Sequence, residues 1–204
     1  MGRKAKNPVQ EAVWRDIRAQ FPGFREAVRA DAGMTALNRG ERFEFRSRGD
    51  AIMQALRLCW VSDAFLALVF YRAKATLQAR EVPVLPRILH KLAMATAQLS
   101  IGDPVILRAG VYIVHGQVVL DGIVDIGPGA VISPWVSIGL RAGNVQGPVI
   151  ERDVRVGTGA VVVGPLHIGA NAQIGANAVV TRDVAPGTTV VGVPAREVKP
   201  RQPA

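Results

Sequence analysis

From Ile101 to Val180 an aliphatic residue returns about every six positions, and no other feature of the sequence restricts the fold so tightly. Ile126, Ile132, Ile138, Ile150, Val156, Val162, Ile168, Ile174 and Val180 share one six-residue phase. Ile101, Leu107, Ile113 and Val119 hold the same period one residue out of step, which predicts a single inserted residue between Val119 and Ile126. A helix spaces its apolar residues by three and four, and a half-buried strand by two. A sustained period of six instead marks a repeat architecture. Each hexad supplies one short strand and one turn, and three hexads close a triangular coil whose aliphatic side chains stack inward. Gly127, Gly139, Gly157, Gly169 and Gly175 follow directly on inward positions, where the chain turns tightly and a side chain would crowd the next face. An antiparallel sandwich would show period-two alternation and hairpin dipeptides, and neither dominates here. The expected fold class is therefore mainly β: a parallel β-helix of hexapeptide repeats.

Residues before Ser100 have a different texture. Ala51, Ala55, Leu58, Val61, Ser62, Phe65, Leu66 and Val69 recur at three- and four-residue steps, which predicts one apolar stripe along a helix. Pro83 and Pro86 break it, and a further helix is expected from about Pro86 to Leu99, with the proline in its first turn. A shorter helix is expected from Glu11 to Gln20, ended by Pro22-Gly23. Residues 33–49, punctuated by Gly33, Gly40 and Gly49, read as a loop. The division that follows is a helical region over residues 1–100, the β-helix over 101–185, and a tail over 186–204 that begins where Pro186-Gly187 interrupts the register. A coil stack has open edges at its ends, and the helices are placed to cover one of them.

Charge and cysteine content exclude several function classes. The net charge of +9 belongs to the N-terminal half, where residues 1–100 carry 17 Lys and Arg against 9 Asp and Glu, compared with 8 against 7 in the remainder. Arg39, Arg42, Arg46 and Arg48 alternate with Glu41 and Glu44, which describes a solvated polar segment and no nucleic-acid surface. The most apolar stretch, Ala51 to Tyr71, is interrupted by Arg57 and Asp63, whereas a spanning helix needs about 20 predominantly apolar residues. The basic start lacks an apolar segment behind it, so a cytoplasmic location is expected. Cys59 is the only cysteine, which rules out an intrachain disulfide and a thiolate metal cluster; its simplest role is as a small apolar residue in a helix. His90, His115 and His167 lack metal-ligand partners at short spacing, so no metal is expected.

Val156-Gly157-Thr158-Gly159-Ala160, Ile174-Gly175-Ala176-Asn177-Ala178-Val179-Val180 and Gly192-Val193-Pro194-Ala195-Arg196 closely resemble the hexapeptide-repeat acyltransferases. The likeness covers about residues 85–199, and the helical N-terminus, compact stack and tail look most like serine O-acetyltransferases. The resemblance implies a left-handed coil, a homotrimer with a dimer of trimers through the N-terminal helices as a further level, and acetyl-CoA as co-substrate with no permanently bound cofactor. It also implies a histidine that takes the proton of an acceptor hydroxyl, and the matching residue is His115 in Gly110-Val111-Tyr112-Ile113-Val114-His115-Gly116. Imidazole suits that task near neutral pH, and Gly116 leaves room for a ligand. The coenzyme A contacts carry over to Thr158, Ala176, Thr181, Arg182 and Arg196, with Lys199 able to share the work. Small residues let a pantetheine arm lie flat, and the cations suit nucleotide phosphates.

Several residues of serine acetyltransferases are replaced. The second active-site histidine falls near Gly147, the acid before the catalytic histidine is Val114, and the orienting acid aligns with Ser100, leaving Asp103 as a nearby substitute. The segment Leu140 to Gly147 is shorter than the family's glycine-rich loop, and it offers Arg141, Asn144 and Gln146 to an acceptor. Without the charged groups that would hold an amino acid, the reason to expect serine weakens. Three alternatives stay open: acetyl transfer to a hydroxyl such as serine's, acyl transfer to a sugar or nucleotide-sugar acceptor, and a non-catalytic trimeric scaffold.

Overall fold

The computed structural model describes residues 8–198. Five helices come first: α1 (Pro8–Ala19), α2 (Phe24–Asn38), α3 (Arg48–Val61), α4 (Asp63–Ala79) and α5 (Leu85–Ala97). Short strands follow: β1 (Leu99–Ile101), β2 (Ile106–Leu107), β3 (Tyr112–Ile113), β4 (Val118–Leu120), β5 (Ile123–Ile126), β6 (Val131–Ile132), β7 (Ser137–Gly139) and β8 (Gln146–Ile150). The last are β9 (Arg155–Val156), β10 (Val161–Val163), β11 (His167–Ile168), β12 (Gln173–Ile174), β13 (Val179–Val180), β14 (Thr189–Val191) and β15 (Arg196–Glu197). Every third strand pairs in parallel through β13, giving a first sheet β1-β4-β7-β10-β13, a second β2-β5-β8-β11 and a third β3-β6-β9-β12, to which β14 adds directly because the second sheet contributes only the Ile168–Val184 bridge in the last coil. This is the left-handed β-helix that the period of six requires.

The inward column is Ile101, Leu107, Ile113, Leu120, Ile126, Ile132 and Ile138, continuing through Ile150, Val156, Val162, Ile168, Ile174 and Val180, and all are buried. Two details differ from the sequence reading. Val119 points outward and is 47% exposed, whereas Leu120 is fully buried. The extra residue therefore lies between Ile113 and Leu120, in the corner that carries His115. Both valine and leucine suit an inward position, so the period alone placed the slip one turn too late. The coil also continues past Pro186-Gly187: Val190 of β14 pairs in parallel with Ile174, and only then does β15 turn back antiparallel on β14.

The glycines after inward residues do face crowding. A Cβ at Gly157 would lie 2.7 Å from the Ala176 nitrogen, and one at Gly127 would lie 2.7 Å from the Glu151 carbonyl carbon. The left-handed turn residues come two positions later, where Asp153, Asn171 and Asn177 have φ of 59°, 60° and 56°.

The helices close the open edge of the first coil through polar side chains on α4. Tyr71 Oη donates to the Val105 carbonyl at 2.8 Å, Arg72 Nη1 to the Leu107 carbonyl at 2.5 Å, Arg72 Nη2 to the Arg108 carbonyl at 2.8 Å, and Lys74 Nζ to the Ile101 carbonyl at 2.6 Å. On α2, Asp31 Oδ1 accepts from the Gly110 and Val111 amides at 2.9 and 3.0 Å and from Arg72 Nη2 at 3.0 Å, while Oδ2 accepts from Arg72 Nε at 2.8 Å. Backbone groups of a strand edge cost free energy when buried without partners. These side chains supply the partners, and no buried side-chain polar atom among the described residues lacks one. Burial pushes the Tyr71 hydroxyl up to about 12, so it remains a donor across the ordinary pH range. Arg72 and Lys74 thus belong to the core of the interface, which the N-terminal charge count could not distinguish from solvated cations.

The helix boundaries also correct two expectations. The single stripe from Ala51 to Val69 is two helices, bent by 118° at Ser62, whose Oγ accepts from the Phe65 amide at 3.3 Å as an N-cap. Residues 33–38, read as loop, are the last turns of α2, because Ala32, Thr35 and Ala36 are buried and Gly33 approaches the Phe43 carbonyl. Packing outweighs the helix cost of one glycine. The segment 39–47 is irregular, and its ion pairs Arg39–Glu41, Arg57–Glu41 and Arg42–Asp50 lie at the surface. No single helix among the described residues is long and apolar enough to cross a membrane.

Candidate active site

His115 occupies the corner that leads from the third sheet to the first. The backbone ladder aligns that corner coil by coil: Val114, Ser133 and Gly157 donate to the carbonyls of Ile132, Val156 and Ile174, one coil further along in each case. The following residues, His115, Pro134, Thr158 and Ala176, therefore form one column. Three sequence-predicted residues, His115, Thr158 and Ala176, share this edge of the prism.

The inserted residue gives His115 its presentation. His115, Gly116 and Gln117 have φ of 59°, 98° and 51°, three consecutive left-handed residues that bulge the chain outward. The bulge is clamped to the end of α5, where the Gln117 amide donates to the Ala97 carbonyl at 2.8 Å. Gly116 lies so close to Ala97 that a Cβ would collide with that carbonyl oxygen. The imidazole itself is exposed. Gly116→Ala combines a forbidden backbone angle with this clash, so it is expected to lose about 1–3 kcal/mol of stability and to displace His115. Thermal melts together with the imidazole NMR signals of His115 check both effects.

The opposite edge of the first sheet, where it turns into the second, holds most of the other predicted residues. Asp103 lies there in the first coil, Arg141 and Asn144 in the loop that precedes β8, Gln146 at the start of β8, and Thr181 and Arg182 after β13. Arg141 packs 3.7 Å from the Cβ position of Gly164, and Asn144 Oδ1 accepts from the Gln146 amide at 2.8 Å. Both side chains, and that of Gln146, are exposed. Thr181 and Arg182 join Arg196 around a cavity of about 160 Å³ at the C-terminal end of the coil, together with Val184, Val190 and Glu197. Lys199 lies outside the described residues.

Asp103 does not reach His115 within the chain. Its carboxylate pairs with Lys74 Nζ at 2.8 Å, and it borders a cleft of about 240 Å³ with Trp14, Arg18, Phe21 and Gln78. Burial works to raise the Asp103 carboxyl, but the Lys74 ammonium outweighs it and holds the group below its usual range. Within one chain Asp103 completes the edge cap and lies on a different corner from His115, on the edge that carries Arg141 and Asn144. His167 is likewise engaged, with Nε2 2.9 Å from Glu151 Oε1 on the outside of the second sheet. His90 lies on α5, where burial, assisted by Lys74, pushes its imidazole down.

Gly147, where a second histidine would fall, is buried against β5. A Cβ there would lie 2.5 Å from Val124 Cγ2 and 3.2 Å from the Ile123 carbonyl oxygen. The buried Val124 side chain therefore blocks a side chain at this position. Ser100 sits on the outward face of β1 in register with Val119.

One residue of the His115 edge escaped the sequence reading. Trp135 follows Pro134, is 64% exposed, and takes the left-handed conformation with φ of 65°. Its amide donates to the Gln117 carbonyl at 2.8 Å, which places it beside the His115 bulge. The available signal was an aromatic residue at a hexad position where Gly159 and Asn177 stand in later coils.

Residues 147–182 match the family described as bacterial transferase hexapeptide (six repeats). No curated protein sequence matches the chain. Among solved structures, the soybean serine acetyltransferase apoenzyme is 29% identical, with a TM-score of 0.70 over 88% of this chain and 71% of its own. Serine acetyltransferase from Brucella abortus strain S19 is 21% identical, with a TM-score of 0.71 over 94% and 84%. A serine acetyltransferase solved as a complex with CoA is 23% identical, with a TM-score of 0.71 over 94% and 79%. The last two speak to the fold alone. Repeat, coil and helical cap together resemble those of the hexapeptide-repeat transferases. Within that class the likeness is to the serine O-acetyltransferases.

Proposed function

We propose that the protein transfers an acetyl group from acetyl-CoA to an acceptor hydroxyl, with His115 as general base, at a site formed between two copies of the chain. The observation that carries the proposal is the distribution of the predicted residues over two corners. His115, Thr158 and Ala176 lie on one edge of the first sheet, and Arg141, Asn144, Gln146, Thr181 and Arg182 lie on the other. A strand of about three residues, roughly 10 Å, separates the two edges within a chain. Apposition of one edge with the opposite edge of a neighbour brings the sets together in a groove. The outward face of the first sheet supports that contact, since its column runs Ser100, Val119, Ser137, Val161 and Val179 with no charge to interrupt it. The second sheet instead presents Asp125 and the His167–Glu151 pair.

The resemblance to hexapeptide-repeat acyltransferases makes a closed ring of copies using this face a homotrimer. Exposed Ile52, Met53, Leu56 and Trp60 on α3 support a further level of assembly through the helices.

In the reaction, the acceptor oxygen attacks the thioester carbonyl carbon while its proton passes to His115. The tetrahedral adduct collapses, the C–S bond breaks, and the sulfur leaves as CoA thiol after taking the proton. The products are an acetyl ester and CoA. Arg182 and Arg196, gathered at one cavity, suit the nucleotide phosphates, and the small side chains of Thr158 and Ala176 suit the flat run of a pantetheine arm. The likeness to the soybean serine acetyltransferase supports the choice of an acetyl donor. The test combines light scattering, calorimetry with CoA, and thiol release from acetyl-CoA across an acceptor panel. A trimeric mass, saturable CoA binding and acceptor-dependent thiol release are expected. A monomer that binds no CoA contradicts the proposal.

A further inference from the structure

We propose that the acceptor is a carbohydrate and that Trp135 is the platform on which its pyranose ring stacks beside His115. This rests on the acetyl-transfer site described above and names its substrate class.

The left-handed slot of a β-helix corner is filled elsewhere in this chain by residues that tolerate it. Gly129, Gly159, Asp153, Asn171 and Asn177 all stand at such slots with positive φ. Glycine has no Cβ to clash, and Asn and Asp have short polar side chains that bond locally. Tryptophan has neither property, and a bulky residue with positive φ is a conformational outlier. Nor is the cost repaid by burial, because the indole remains 64% exposed. A strained residue that does not stabilise its own fold points to a contact made with something else.

Position identifies that contact. Trp135 is hydrogen-bonded through its amide to Gln117, two residues from His115, and the next slot in its own column is Gly159, which has no side chain to cover the ring. An exposed, rigid aromatic face with a base beside it suits a ligand with one apolar face and several hydroxyls. The surrounding chemistry agrees. At three positions where serine acetyltransferases carry charged or imidazole groups this chain has none, since Val114 and Ser100 are neutral and Gly147 is closed to a side chain by Val124, which leaves Arg141 and the Lys74-paired Asp103 as charges on the facing edge. Asn144 and Gln146, on the edge that faces His115 across the proposed groove, offer amides that donate to and accept from hydroxyls. The stacked sugar's hydroxyl then enters the acetyl-transfer step, losing its proton to His115 as its oxygen bonds to the acetyl carbon, and leaves as the sugar ester.

The test uses the full chain with acetyl-CoA and the methyl pyranosides of glucose, galactose, mannose and N-acetylglucosamine, with L-serine alongside, read by thiol release. Wild-type protein is expected to turn over at least one pyranoside in preference to serine. Trp135→Asn and Trp135→Gly are expected to raise the acceptor KM by about tenfold or more, the loss that accompanies truncation of an aromatic anchor. The KM for acetyl-CoA and the assembled mass should stay unchanged, and Trp135→Tyr should retain much of the acceptor affinity. Both truncations are also expected to raise Tm by about 2–4 °C, because they relieve the left-handed strain. An unchanged acceptor KM, or loss of the assembly in these variants, overturns the proposal and makes Trp135 an interface residue. Turnover confined to serine overturns it while leaving acetyl transfer intact, whereas absence of CoA binding removes the underlying site as well.

Discussion

Replacement of His115 by asparagine is expected to lower kcat by about 10²- to 10⁴-fold, the share of rate that a positioned general base supplies. Asparagine is the informative substitution because His115 has φ of 59°, a conformation that Asn tolerates and Ala does not. The corner should therefore keep its shape, and the affinity for CoA should stay close to that of the wild type. The imidazole is exposed, so its removal leaves no cavity in the coil. Steady-state thiol release and calorimetric CoA binding measured on the same preparation separate the two quantities. A fall in kcat with unchanged CoA affinity assigns the proton-transfer role, because a residue that only binds would change the affinity first.

The second large effect concerns stability. Asp31→Ala is expected to cost about 3–5 kcal/mol, since it strands a buried guanidinium and two buried amides at once. Asp31 and Arg72 are 1% and 3% exposed, and each also caps backbone of the first coil. Many buried ion pairs can be replaced by apolar residues at little cost. This one should resist such replacement, because Asp31→Ala combined with Arg72→Met leaves the Leu107 and Arg108 carbonyls and the Gly110 and Val111 amides without partners. Urea denaturation of the single and double variants checks both points, and a double variant as stable as the wild type would reduce the pair to a local charge balance.

The extent to which the sequence announced these features follows the physics of each signal. The coil was legible because an inward residue recurs every six positions, and Ile and Val at those sites leave little ambiguity. The position of the inserted residue was not, because Val119 and Leu120 are equally suited to burial. Only the ladder from Gln117 to Ala97, a contact between distant segments, fixes the bulge at His115. The edge cap was hidden for a similar reason, since Arg72 and Lys74 look like any helix cations until their acceptors, carbonyls roughly 30 residues later, are known. By contrast, the break at Ser62 had a local signal in the pair Ser62-Asp63, a helix N-cap with an acid in the first turn.

For the candidate site, the sequence named candidate residues but not their arrangement. His115, Thr158 and Ala176 fall on one column because they occupy equivalent hexad positions once the inserted residue is counted. Asp103 does not meet His115 within a chain, because twelve residues of separation in a β-helix carry it to a different corner, the one that holds Arg141 and Asn144. Gly147 could be seen to lack a side chain, yet the reason, the approach of Val124, is a contact between adjacent coils. Trp135 was overlooked because its meaning depends on φ, which the letter alone does not give.

The central claim is that the catalytic base and Arg182, proposed for the coenzyme's phosphates, meet only across a boundary between copies. Mixed assemblies test it most directly. His115→Asn and Arg182→Glu should each abolish most activity as uniform assemblies, by loss of the base and of phosphate binding respectively. Co-assembled in equal amounts, the two variants should regain activity, because about one quarter of the boundaries would pair an intact His115 edge with an intact Arg182 edge. Activity no greater than the sum of the two uniform assemblies would contradict the account and place the whole site within a single chain.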